Sequence, residues 1–241
     1  MGLREIVPGW VEVAESFGDL PYAPLFADER AQIARAVLSR RAEFATTRHC
    51  ARRALSQLGC PPQSIPVRDQ GMPGWPNGYS GSLTHCKGYR AAAVSRSTYA
   101  TAIGIDAEPA EALPPEIVDA VATPVERESL AHLRRRHPAV PWDRVMFSAK
   151  ESVYKAWYAI THRWLGHHDV CLRLDAARGR FCVTFGVVAL PVAGVTIRRE
   201  MTGRWHIENQ LIFTTFVARS RLQAGANDSR PKRHILHPLR A

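Results

Sequence analysis

The sequence predicts an α+β fold, with long helices in the first two thirds and an antiparallel sheet at the end. Three observations carry this. Residues 28–58 run for 31 positions without Pro or Gly and are rich in Ala, Leu and Arg. From Trp142 onward, Met146, Ala149, Val153, Ala156 and Ile160 recur at spacings of three and four, one apolar stripe of a helix. The last third breaks into short alternating runs, 170–174, 180–185, 195–198, 205–207 and 211–217, split by Gly or Pro.

The elements follow in order. Residues 1–27 read as irregular. The helical run 28–58 stops at Gly59 before Pro61-Pro62, with Phe44 expected to pack on Val37, Leu38 and Ala51. Arg40, Arg48 and Arg52 lie near one line along it, and forked guanidinium donors so placed suit phosphate; a solvated basic face is the alternative. Residues 61–81, with five Pro and five Gly or Asn, read as a long structured loop. Tyr89–Ser95 and Thr101–Ile105 are expected to pair as a hairpin across 96–100, leaving Asp106 and Glu108 just past a strand end and on one side. A short helix follows Pro114-Pro115. Thr123-Pro124-Val125-Glu126 is an N-cap, a first-turn proline and a capping-box glutamate, opening a helix to about Arg136. The central helix begins near Trp142. Residues 221–241 contain few apolar anchors and read as a disordered basic tail.

At 241 residues, with 46% hydrophobic and 22% charged side chains, the chain has the size and make-up of an ordinary globular protein. The N-terminus lacks the apolar stretch of a signal peptide and no apolar run reaches bilayer length, so a soluble, cytoplasmic protein without membrane contact is expected, most simply a monomer. Five scattered cysteines without a C-x-x-C pair argue against a disulfide framework and a zinc site. The formal charge is +10, but residues 219–241 carry six basic side chains against one acidic, half of the excess. The remaining +5 suits an anionic small molecule or acidic protein partner as well as DNA. Only four of the 32 basic residues are lysine, and two of them, Lys150 and Lys155, flank Glu151 in the central helix. There Glu151 and Lys155 lie one turn apart, opposite the apolar stripe.

Asp106, Glu108 and Glu151 are an oxygen set of the kind that holds Mg²⁺ with room for phosphate, and Lys150 and Lys155 add positive charge for a phosphoryl oxygen or leaving group. Such a set fits attack on a phosphoanhydride or phosphodiester. A surface ion pair between Glu151 and Lys155, and a solvated Asp106-Glu108 pair, are the plainer alternatives.

The ordered motifs Gly71-x-Pro73-x-Trp75-Pro76, Ser82-Leu83-Thr84-His85, Gly104-Ile105-Asp106-Ala107-Glu108 and Phe147-Ser148-Ala149-Lys150-Glu151-x-x-x-Lys155-Ala156-Trp157 closely resemble the 4′-phosphopantetheinyl transferases. Within that superfamily they look most like the actinobacterial relatives of the enterobactin synthetase D component. The resemblance spans roughly residues 20–217. It implies a pseudo-dimer of two similar α/β subdomains, 1–107 and 108–220, with the active site in the cleft between them. It implies Mg²⁺ on Asp106, Glu108 and Glu151, with coenzyme A as substrate. Glu151 would serve as, or orient, the base for a carrier-protein serine, and Lys155 would stabilise the pyrophosphate, with Lys150 nearby. Arg40, Arg48 and His85 would bind the phosphates, including the 3′-phosphate, while Thr84 and the loop Arg68-Asp69-Gln70 would line the nucleotide site. Relatives often carry lysines in that loop where this chain has Arg68. The implied partners are apo acyl- or peptidyl-carrier proteins of siderophore, polyketide or peptide synthesis, and no nucleic acid. A Mg²⁺-dependent nuclease and a non-catalytic nucleic-acid-binding protein remain the alternatives from the residues alone.

Overall fold

The computed structural model describes residues 2–186, 191–192, 195–196 and 200–219. The tail expected at 221–241 lies outside these residues, as do Ile197 and Arg198 of one expected strand. The described chain is a mixed α/β fold with five α-helices: α1 (Ala27–Gln32), α2 (Leu38–Gln57), α3 (Pro115–Val121), α4 (Pro124–Arg136) and α5 (Trp142–Thr161). The strands are β1 (Glu12–Ser16), β2 (Tyr79–Cys86), β3 (Tyr89–Arg96), β4 (Ala100–Pro109), β5 (Val170–Asp175), β6 (Arg180–Phe185), β7 (Pro191–Val192), β8 (Val195–Thr196), β9 (Glu200–Glu208) and β10 (Leu211–Arg219). Among the described residues no helix is long and apolar enough to cross a membrane.

Two antiparallel sheets organise these elements, ordered β1-β3-β2 and β4-β10-β9-β6-β5, with β7 and β8 forming a separate ribbon. Strand alternation assigns the layers. In β3, Ala92 and Val94 join the core under α2 with Ala51, Ala54 and Leu55, while Tyr89, Ala91 and Ala93 face the other way. That second face meets Ile103, Ile105 and Ala107 of β4 and Phe213 of β10. Ala102, on the opposite face of β4, turns into the largest core, under α5 with Met146, Ala149, Val153 and Ala156. The stacking is therefore α2, small sheet, large sheet, α5. By the same alternation Asp106 and Glu108 fall on the α5 side of β4.

The expected hairpin does not form. β3 pairs with β1 and β2, and β4 pairs with β10, Asp106 standing opposite Thr214. Both β2 and β4 are sheet edges, and side-chain hydroxyls join them. Ser80 Oγ donates to the Ala100 carbonyl at 2.7 Å, Ser82 Oγ accepts from Ile105 N at 3.1 Å, and Thr84 Oγ1 accepts from Ala107 N at 2.9 Å. Three hydroxyls at every second residue of β2 thus satisfy the backbone of β4 where no strand partner does. Consequently Asp106 and Glu108 lie inside β4 and not beyond its end.

The run 28–58 is two helices and not one. Residues 33–37 turn, and Arg41 reaches back to satisfy the carbonyls of Ala34 and Ala36. The turn folds α1 over α2 so that buried Glu29 meets Arg52 at 2.8 Å and accepts from Ile65 N at 2.9 Å. Phe44 is buried and Ala51 shares the interior, but Val37 and Leu38 are exposed at the helix start, so they do not pack beneath it. The capping box at Thr123 and Glu126 is present, with Glu126 N donating to Thr123 Oγ1 at 3.3 Å and Thr123 N to Glu126 Oε2 at 2.7 Å. In α5, Met146, Ala149, Val153 and Ala156 are buried and Ile160 is half-buried. The helix lies so close to β4 that a Cβ on Gly104 would fall 1.8 Å from the Ser152 carbonyl oxygen.

Candidate active site

Where the edges of β2 and β4 meet the N-terminal half of α2 and the middle of α5, the chain leaves a cavity of about 420 Å³. Arg40 and Arg48 of α2 line one wall, and Thr84 and His85 of β2 line the next. Asp106, Glu151, Lys155 and Gln70 line the cavity as well. Glu151 also borders a second cavity of about 100 Å³, whose wall includes Lys150, Tyr154, Trp164, Leu165, His167 and Val170.

Of the three candidate metal-site carboxylates, Asp106 makes the most hydrogen bonds. Lys155 Nζ donates to its Oδ1 at 2.7 Å and to the Ile105 carbonyl at 3.0 Å, Ser148 Oγ donates to Oδ2 at 2.8 Å, and Thr84 Oγ1 lies 3.3 Å from Oδ1. Charge-assisted bonds of this kind hold a carboxylate rigidly in one orientation. Glu108 pairs through Oε2 with Arg144 Nη1 at 2.9 Å. Burial and then the Asp106 charge push the Glu108 carboxyl upward from its ordinary range, against the pull of Arg144. Burial and then Asp106 raise Glu151 too, with Lys155 opposing. Two raised acids beside a buried third are a negative cluster only partly neutralised by Lys155 and Arg144. In chemistry the oxygen set suits a divalent cation. Among the described residues, however, no group of three or more His, Cys, Asp or Glu already converges into a metal-holding cluster, the chain's own cations standing on Asp106 and Glu108 instead.

On α2, Arg48 is buried, donates through Nε to the Ile65 carbonyl at 2.7 Å and stacks over the Phe44 ring at 4.2 Å. Desolvation, opposed by Glu29 and reinforced by Arg52 and Arg40, lowers its pKa to about 10, so it stays a cation at neutral pH. Arg40 contacts both Glu43 and His85.

Not every expected residue reaches the cavity. Lys150 does not stand beside the phosphate-side cations. Its ammonium is buried and bonded to Glu126 Oε2 (2.8 Å) and the carbonyls of Val121 (2.8 Å), His167 (2.6 Å) and Val170 (3.3 Å). The reason is angular: 150 follows 146 by four residues and precedes 153 by three, so it shares the core stripe. Arg52 is likewise taken by Glu29 and leaves the line of arginines. In the loop, Arg68 N bonds the Met72 carbonyl in a tight turn with Gln70 in the left-handed region (φ 54°), and it is Gln70, not Arg68 or Asp69, that lines the cavity. Arg144, Ser148, Glu43 and Tyr154 are additions that the sequence reading omits. Arg144 and Ser148 had a signal, since 144, 148, 151 and 155 follow one helical face.

The fold and site together define a mixed α/β protein with one cavity lined by both cations (Arg40, Arg48, Lys155) and acids (Asp106, Glu151). Residues 28–95 match the family described as the 4′-phosphopantetheinyl transferase N-terminal domain, and residues 102–209 match the 4′-phosphopantetheinyl transferase superfamily. The chain is 44% identical over 215 residues to 4′-phosphopantetheinyl transferase Svp of Streptomyces mobaraensis, covering 88% of this chain and 87% of the relative. It is 42% identical over 217 residues to 4′-phosphopantetheinyl transferase PptT of Mycobacterium tuberculosis (85% and 94% covered). Enterobactin synthase component D of Salmonella typhi matches at 34% over 125 residues, about half of each chain. The chain belongs to the 4′-phosphopantetheinyl transferase superfamily and is an enzyme of that class.

Proposed function

We propose that this enzyme transfers the 4′-phosphopantetheine group from coenzyme A to a serine of apo acyl- or peptidyl-carrier proteins, releasing 3′,5′-adenosine bisphosphate. The observation that carries the reading is a single cavity lined both by Arg40, Arg48 and His85 and by Asp106, Glu151 and Lys155. A ligand with a nucleotide phosphate and a pyrophosphate fits that combination of cations and acids. In this reading Thr84 and Gln70 line the nucleotide, as do Arg68 and Asp69 if their loop shifts. The smaller cavity beside Glu151, with Trp164, Leu165 and Val170 in its wall, suits the pantetheine arm.

Asp106, Glu108 and Glu151 would hold Mg²⁺, whose chemical contribution is divalent charge for the pyrophosphate oxygens. The chain's own groups do the rest. The carrier serine Oγ attacks the β-phosphorus while its proton passes to Glu151 or to water that Glu151 orients. A glutamate pushed upward by burial and by Asp106 is a better base than an exposed one. The β-phosphorus–oxygen bond to the α-phosphate breaks, and Lys155, already fixed on Asp106, meets the charge that develops there. Arg40, Arg48 and His85 grip the distal phosphate and set the register of the substrate. Lys150 stays behind the helix as a support.

The proposal includes two subdomains, 1–107 and 108–220, arranged as a pseudo-dimer around this cleft, and a cytoplasmic, Mg²⁺-dependent monomer. Five free cysteines suit a reducing compartment. Acidic carriers of siderophore, polyketide or peptide synthesis suit the positive body. Incubating the protein with Mg²⁺, coenzyme A and a panel of apo carriers should add the mass of one phosphopantetheine to at least one of them. No gain on any carrier would overturn the reading.

A further inference from the structure

Behind two of the cavity's lining residues, Arg40 and His85, stands an acid whose position needs a reason. Glu43, one turn beyond Arg40 on α2, contacts Arg40 Nη1 and places Oε1 3.2 Å from His85 Nδ1. Its Oε2 lies 4.0 Å from Arg90 Nη2. A carboxylate so close to a site for phosphate ought to weaken the ligand, unless it serves the groups around it.

The protonation of His85 follows from donor chemistry. Arg40 Nη1 lies 3.1 Å from His85 Nε2. A guanidinium only donates, so Nε2 must present its lone pair, and the single ring proton sits on Nδ1 facing Glu43. Without ligand the imidazole is therefore neutral. Burial first, and then the charges of Arg40, Lys155 and Arg90, favour that neutral form against the pull of Glu43. These are the charged groups that face the ring from α2, α5 and β3. A phosphate dianion arriving between Arg40 and His85 reverses the balance. It draws the Arg40 N–H to itself and would meet a bare lone pair at Nε2.

We propose that the distal phosphate is bound together with a proton, which passes from solvent to His85 Nε2, and that Glu43 is the positioning residue that holds the resulting imidazolium from its other side. The inference rests on the coenzyme A reading of this cavity. It makes Glu43 a counter-ion that fixes the ring's tautomer, while Arg40 is shared between Glu43 and the phosphate. Coenzyme A affinity then falls as pH rises through the pKa of the bound histidine, because the proton it needs is lost. A substrate lacking the 3′-phosphate should not show that dependence.

The test is titration calorimetry of the full-length protein with coenzyme A in EDTA, at about pH 7.5, where a phosphate monoester is already a dianion. Runs in Tris and in HEPES, whose ionisation enthalpies differ widely, count protons. Coenzyme A should bind with uptake of about one proton, and 3′-dephospho-coenzyme A with close to none. Glu43→Gln should weaken coenzyme A by roughly tenfold, the equivalent of one pKa unit, and move the pH profile to lower pH. His85→Asn should abolish the uptake, and retained binding of the dephospho substrate would show that either variant is folded. Equal heats in the two buffers, or equal uptake with both substrates, would overturn the proposal while leaving the coenzyme A site intact. Absence of any binding heat would overturn the site reading and the proposal with it.

Discussion

Replacing Lys150 with Met tests the clearest disagreement between the motif and the fold. Lys150 lies in the middle of the family motif, next to Glu151, yet its side chain is 1% exposed and its partner Glu126 0%. The ammonium has four acceptors within 3.3 Å, one a carboxylate and three carbonyls. Methionine fills the same volume but strands the carboxylate. Removing one member of a buried pair costs about 3–5 kcal/mol. Glu126 keeps its bonds from Thr123 N and Leu172 N, both 2.7 Å, which favours the lower half of that range. For a chain of this size the melting temperature should fall by about 6–16 °C, at roughly 2–4 °C per kcal/mol. Urea denaturation followed by circular dichroism measures the loss, and a cycle with Glu126→Gln measures the coupling, which should make the double variant less unstable than the sum. Coenzyme A affinity of the folded variant should stay within a few-fold. A loss below about 1 kcal/mol, as for an exposed pair, would refute the buried-anchor argument. So would normal stability combined with lost coenzyme A binding, which would return Lys150 to the phosphates.

Glu151→Gln should slow carrier modification by about 10²–10⁴-fold, measured by carrier mass spectrometry. Its melting temperature should be equal to or above that of the parent, because the amide relieves repulsion from Asp106; a near-normal rate would refute its role. Gly104→Ala should cost about 3 kcal/mol or more, since the added Cβ meets the Ser152 carbonyl at 1.8 Å and the Ala156 N at 3.0 Å, both backbone. An unchanged melting curve would show that β4 and α5 separate easily. Cys50 is fully buried, and burial pushes its thiol up to about 11. Iodoacetamide at about pH 8 should leave it unmodified in the native protein and label it only in denaturant.

Local signals were sufficient wherever a residue's neighbours in sequence are also its neighbours in space. The Thr123–Glu126 box, the stop at Gly59 (φ 80°) and the apolar stripe of α5 needed only the periodicity of one helix or the chemistry of one turn. The site residues Asp106, Glu151 and Lys155 were legible as residue types in ordered motifs, and the resemblance placed them in one reaction. What no local pattern contained was the pairing of β4. Its partner, β10, lies about a hundred residues away, and the other edge is held by hydroxyls of β2 and not by a strand. A Ser-x-Ser-x-Thr alternation reads equally well as a solvent face until a second backbone is laid against it.

By itself, then, the sequence determined the three later helices, the Thr123–Glu126 cap, most strands of the large sheet and the chemical inventory of the cavity, because those depend on spacing and side-chain type. It did not give the break of 28–58 into α1 and α2, nor β1 within 1–27. Tertiary structure alone decided that Lys150 points into the core while Glu151, one residue on, borders the cavity, a matter of 100° of helical rotation judged against a packing partner. It likewise decided that Arg52 answers Glu29 while Arg40 and Arg48 remain at the cavity, and that Glu43 stands behind His85. Charged side chains of one kind are interchangeable in a motif. They become distinct only when the folded chain gives each a partner and a measure of water.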